Sequence, residues 1–144
     1  MIKKLILVFI LSAPVAVFSQ SPAKGPLDGK TYETEVTKEG KKKPLDPDEF
    51  KFSAGKFKSR NFGESYGFRK QVPYLVTSVD SSNVAEKIYT WKAESINDLK
   101  EVLTWEGTIT GDDMEGTGIL ANAKGEKKWS YTFTGKLKKK PGQK

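Results

Sequence analysis

Neither cysteine nor histidine occurs in this 144-residue chain. Without cysteine there is no disulfide, no thiol nucleophile and no lipid attached through sulfur. Without either residue, Cys/His zinc sites, haem on its usual ligands and a Ser-His-Asp triad are excluded. No remaining side chain titrates near neutrality at its ordinary pKa, so acid–base chemistry would need a strongly shifted carboxylate, lysine or tyrosine. Long apolar runs are scarce too: the one at the N-terminus falls short of the roughly 20 residues that span a bilayer. No stretch of ten residues carries a clear helical period. These absences argue against an enzyme, a cofactor, a resident metal and a transmembrane segment.

The short apolar run is informative in itself. Lys3 and Lys4 precede Leu5 to Leu11, and Ala13, Ala16 and Ser19 bring small residues to a cleavage position near Ser19–Gln20. Residues 1–19 therefore read as a bacterial-style signal peptide. The mature chain is expected to be soluble and exported, either periplasmic or secreted. A flexible segment at 20–26, one β domain at 27–137 and a Lys-rich tail at 138–144 complete the expected organisation.

Loss of Lys3 and Lys4 lowers the net charge from +7 to +5. The cations that create it are Lys41, Lys42 and Lys43 in one loop, and Lys138, Lys139, Lys140 and Lys144 in the tail. The rest of the chain is slightly acidic. A nucleic-acid surface needs cations spread over a face with stacking aromatics, so no nucleic-acid partner is expected.

Between the termini the pattern has a period of two. Tyr32, Thr34 and Val36 alternate with Glu33 and Glu35. A Pro-containing loop follows from Glu39 to Asp48. Phe50-Lys51-Phe52 and Lys56-Phe57-Lys58 flank Ser53-Ala54-Gly55, a hairpin signal. Asn61 to Gly67 reads as irregular. Further strands are expected at Pro73 to Val79, Lys87 to Ala93, Glu101 to Thr110, Met114 to Leu120 and Lys128 to Lys136. Gly116 and Gly118 suggest a close approach of backbones within their strand. About eight short, sequence-adjacent strands predict an all-β fold, a single antiparallel up-and-down barrel, with a two-sheet sandwich as the alternative.

Few motifs carry chemistry. Gly63-Glu64-Ser65-Tyr66-Gly67 fits the nucleophile-elbow spacing, but no histidine or βαβ unit accompanies it. Asp46, Asp48 and Glu49, and likewise Asp112, Asp113 and Glu115, are too few for a calcium loop. Glu33, Glu35, Glu101 and Glu106 fall mainly on the solvent parity, away from any shared cleft.

The aromatics remain. Trp91, Leu103, Trp105, Trp129, Tyr131 and Phe133 share one parity and would fill a barrel interior. Some of them would line a pocket at its mouth, with Tyr32 and Tyr74 near an open end. Trp105 to Asp112, Met114 to Thr117, Tyr131 to Gly135, Leu27-Asp28-Gly29 and Phe50 to Phe57 together resemble the short exported bacterial proteins with a lipocalin-like β-barrel. That group generally lacks an assigned activity. The Gly-x-Trp of lipocalins proper is absent, since Lys30-Thr31-Tyr32 follows Gly29.

The functional expectation is an exported, non-catalytic module that binds a small apolar or amphipathic ligand through Tyr32, Tyr74, Trp91, Trp105, Trp129, Tyr131 and Phe133. The alternative is a filled barrel serving as a protein-interaction or structural envelope module. Its contact surface would be the 41–48 loop and the Lys-rich tail, facing an acidic partner or an anionic lipid surface.

Overall fold

Alternation along the sequence becomes eight strands in the computed structural model, which describes residues 25–83 and 85–139. They are β1 (Thr31–Lys38), β2 (Asp48–Ser53), β3 (Lys56–Ser59), β4 (Val72–Asp80), β5 (Ile88–Ile96), β6 (Val102–Thr110), β7 (Asp113–Ala121) and β8 (Lys127–Leu137). Each pairs antiparallel with the next, and β8 returns to β1 with Tyr32 opposite Leu137 and Lys38 opposite Tyr131, closing the barrel. The sandwich alternative is thereby set aside. The proposed signal peptide, residues 20–24 and the last five tail residues lie outside the described residues.

Inward positions are mostly apolar and outward positions mostly polar, with Leu75, Val79, Ile96 and Ile119 as apolar residues on the outer wall. Tyr32, Phe50, Phe52, Phe57, Trp91, Trp105, Ile109 and Phe133 are buried. Glu33, Glu35, Lys51, Lys92, Glu106 and Glu115 stand outside. This polar exterior is the reverse of the lipid-facing apolar band of a membrane barrel. Among the described residues no helix is long and apolar enough to cross a membrane.

One element departs from the expectation. Arg60–Tyr66, within the stretch read as irregular, is a helix, α1. Seven residues are too few to display a period, and a helix this short is not stable by itself. Its ends hold it: the Ser59 side chain accepts from the Phe62 N–H, and Gly67 stops it in the left-handed conformation at φ 80°. Phe62 then points into the barrel and buries fully.

Both ends of the barrel are covered. At the α1 end, Phe62 packs edge-on against Trp105 and Tyr131, with ring centroids 5.0 and 5.3 Å apart. At the other end the turn from Gly25 to Gly29 folds inward and buries Leu27 completely. That turn begins two residues before the expected domain boundary. Asp28 fixes it, accepting from the N–H groups of Gly25 and Gly55 and from the Tyr74 hydroxyl. The seam between β3 and β4 is the shortest, with only Lys56 opposite Pro73 and Phe57 opposite Val72.

Candidate functional site

Strand parity places six of the seven expected site residues inside the barrel. Trp91, Trp105, Tyr131 and Phe133 come from β5, β6 and β8, and Tyr32 and Tyr74 from β1 and β4. They meet four phenylalanines outside the expected set, Phe50, Phe52, Phe57 and Phe62. Phe50 is the hub: its ring lies 4.9 Å from Trp105, 5.0 Å from Phe133, 5.2 Å from Phe57 and 6.5 Å from Trp91. Most of these contacts are edge-to-face, the arrangement that ring quadrupoles favour. The Phe50-Lys51-Phe52 alternation carries the signal for the hairpin rings, whereas Phe62 rides on a helix with no readable period.

Trp129 is the exception. It keeps the inward parity of Tyr131 and Phe133 yet is 45% exposed. The pairing explains this: Leu120 faces Trp129 but Ala121 faces Lys127, so one extra residue enters β8 where the barrel ends. The indole sits on the α1 rim, with the Lys38 ammonium 3.2 Å from its ring centroid.

Three of the tyrosines, Tyr32, Tyr74 and Tyr131, are held neutral by burial. Burial pushes the Tyr32 hydroxyl up to about 12, with the nearby Asp112 charge adding to it. Burial also raises Tyr74 to about 12, followed by its bond to Asp28. Tyr74 therefore does not stand at an open mouth; it donates to Asp28 and accepts from the Leu27 N–H, tying down the turn that covers this end. Burial likewise raises Tyr131. Among the described residues, three buried polar atoms in the lumen lack a hydrogen-bond partner: the Tyr32 hydroxyl, the Thr34 hydroxyl and the Trp91 indole nitrogen.

The carboxylates have structural work. Asp48 is buried and accepts from the Ser59 hydroxyl and from the N–H groups of Glu49 and Asn61, which locks β2 to the start of α1. Burial is the larger influence and raises its pKa above 3.8 despite those bonds. A raised carboxyl pKa means that the folded state favours the proton, so this group's contribution is full below 3.8 and declines as pH rises through the folded value. Asp48→Asn keeps both backbone bonds and cannot ionise. Its stability relative to wild type is expected to improve steadily above pH 3.8, read from urea midpoints across pH. Asp48→Ala, which strands the Ser59 hydroxyl, is expected to cost about 1–3 kcal/mol. Of the other acids, Glu49 pairs with Arg60 and Lys138, Asp112 with Lys139 and Asp113 with Lys136.

The outer wall carries open hollows. One of about 490 Å³ lies over Thr90, Glu106, Gly107, Glu115, Gly116 and Thr132. Another of about 460 Å³ lies over Thr108, Thr110, Asp113, Glu115, Thr134 and Lys136. Both are open grooves between outward side chains.

Among the described residues the two basic segments do not form one surface. The 41–48 loop follows Lys38 at the α1 end, whereas Lys138 and Lys139 follow Leu137, which pairs with Tyr32 near the far end of β1. Lys138 and Lys139 are also spoken for by Glu49 and Asp112. No family model, curated protein or solved structure matches the chain.

Proposed function

We propose that the chain is an exported, non-catalytic interaction module whose barrel is filled by its own aromatic side chains. The outer surface, not the lumen, then meets the partner. The observation that carries this reading is the fully buried Phe50 ring, closed in by Phe57, Trp91, Trp105 and Phe133 within 6.5 Å. Leu27 and Phe62 cover the two ends. Small-molecule sites are normally concave and pre-formed, and a lumen occupied by aromatic rings leaves its volume to the core.

A second reading, a lumen that holds a small apolar or amphipathic ligand, is favoured by the three unpartnered polar atoms of Tyr32, Thr34 and Trp91. Such atoms are costly to bury and would suit a ligand with a hydrogen-bonding group. One experiment separates the two. Native mass spectrometry of the mature protein, purified without detergent from its own compartment, is expected to give a bare mass, and titration with an apolar reporter dye is expected to show no saturable binding. A small-molecule adduct lost on denaturation would overturn the filled barrel and identify the ligand by its mass.

A further inference from the structure

We propose that the α1 end of the barrel docks on an anionic lipid surface. This rests on the filled-barrel reading, since it assigns binding to the rim rather than the lumen.

Four connections converge at this end: the 39–47 loop, α1 with residues 67–71, the 97–101 turn and the 122–126 turn. Their contacts form one continuous chain around the rim. Asn97 donates to the Tyr66 carbonyl and to Glu101, Glu101 pairs with Lys128, and Lys127 pairs with Glu39. Next to Lys128, Trp129 lies under Lys38. Three large apolar side chains are exposed along this chain: Leu99 at 74%, Trp129 at 45% and Tyr66 at 43%.

Around them stand exposed cations that form no ion pair among the described residues, including Lys41, Lys42, Lys43, Arg69, Lys70 and Lys124. They outnumber the exposed carboxylates of the same connections, which are Asp46, Glu64, Asp98, Glu126 and the Lys127-paired Glu39. Among the described residues the opposite end lacks an excess of this size, since Asp80, Glu86, Asp112 and Asp113 stand against Lys56, Lys87, Lys136, Lys138 and Lys139.

Charge complementarity alone would fit any polyanion. The apolar side chains select the lipid. Trp and Tyr settle at the headgroup level, Leu enters the acyl boundary, and flanking Lys and Arg meet anionic headgroups. Each basic residue near such a surface strengthens binding about fivefold. A nucleic acid or other acidic polymer would leave Leu99, the most exposed large apolar residue of the described chain, without a counterpart.

The protein carries its own reporter. Of its three tryptophans, Trp91 and Trp105 are 0% and 1% exposed, so any change of environment on binding is Trp129's. The experiment titrates the mature protein with vesicles of phosphatidylcholine, alone or mixed with phosphatidylglycerol. Binding with a blue-shifted tryptophan emission is expected only with the anionic mixture. It should weaken sharply at about 1 M salt, where the Debye length is roughly 3 Å. The exposed triple substitution K41E/K42E/K43E is expected to lower the partition coefficient about a hundredfold. Leu99→Asp should weaken binding with every cation in place. Both variants should keep the wild-type melting profile.

No binding to the anionic vesicles, or binding indifferent to these substitutions, would overturn the proposal. Equal binding to heparin with no emission shift would overturn it in favour of an acidic polymer. A lipid molecule carried off inside the protein, seen as an adduct by native mass spectrometry, would instead overturn the filled barrel.

Discussion

Gly116→Val is expected to abolish the fold, and Gly116→Ala to cost about 4 kcal/mol or more, at the extreme of single-substitution effects. A Cβ at Gly116 would lie 2.1 Å from the Glu106 carbonyl oxygen, 2.7 Å from the Gly107 Cα and 2.6 Å from the Phe133 ring. Two of those neighbours are backbone, and no rotamer change relieves them. Gly107 is directly opposite Gly116 in the β6–β7 ladder, so the strands would have to separate where the sheet packs over Phe133 and Trp91. Overpacking costs typically 1–3 kcal/mol when side chains can yield; here the ladder itself must. Urea denaturation of Gly116→Ala, with near-ultraviolet circular dichroism for tertiary order, measures this. Thr117→Ala, one residue along but outward and exposed, is the control and should stay within about 0.5 kcal/mol of wild type. A Gly116→Ala protein of wild-type stability would mean that β6 and β7 do not approach as described.

That close approach was legible in the sequence. Gly116 and Gly118 put positions without side chains into a strand of otherwise alternating polarity, which opens room for a neighbouring backbone or ring. The eight strands were legible too, since inward and outward parity is a local property written residue by residue. The Ala54-Gly55 turn followed from the same local chemistry. What escaped the sequence was nonlocal. Phe62 acquires its inward position from a seven-residue helix that exists only through its Ser59 and Gly67 caps and the barrel mouth it covers.

Trp129 has the parity of a core residue, but an irregularity opposite Leu120 and Ala121 leaves it on the rim. The 41–43 lysines and the start of the Lys-rich tail read as two separate basic runs. Which end of a barrel each occupies depends on strand direction, and β1 separates them by its full length. The lumen phenylalanines show the intermediate case. Phe50, Phe52 and Phe57 were visible as inward residues of a hairpin, but only closure of β8 onto β1 brings them against Trp105 and Phe133.

Phe50→Ala is expected to destabilise the protein by about 3–5 kcal/mol and, unlike the wild type, to bind small aromatic molecules. Removing this ring leaves a space walled by Phe57, Trp91, Trp105 and Phe133. Those walls are themselves held in place by further contacts, Trp91 against Phe52 at 5.0 Å and Phe57 at 5.1 Å, and Trp105 against Phe62 at 5.0 Å. Collapse into the gap would require several packed rings to move together, so the space should persist. An apolar cavity of this kind stays dry and accepts a benzene-sized guest. Thermal denaturation with increasing benzene or indole should then raise the melting temperature of Phe50→Ala in a concentration-dependent manner, as any ligand binding only the folded state must. The wild type should not respond. If the wild type responds equally, its lumen already has room beside the Trp91 indole nitrogen and the Tyr32 hydroxyl, and the ligand-holding barrel displaces the filled one. A response confined to the variant identifies Phe50 as the side chain that occupies the position a ligand would otherwise take.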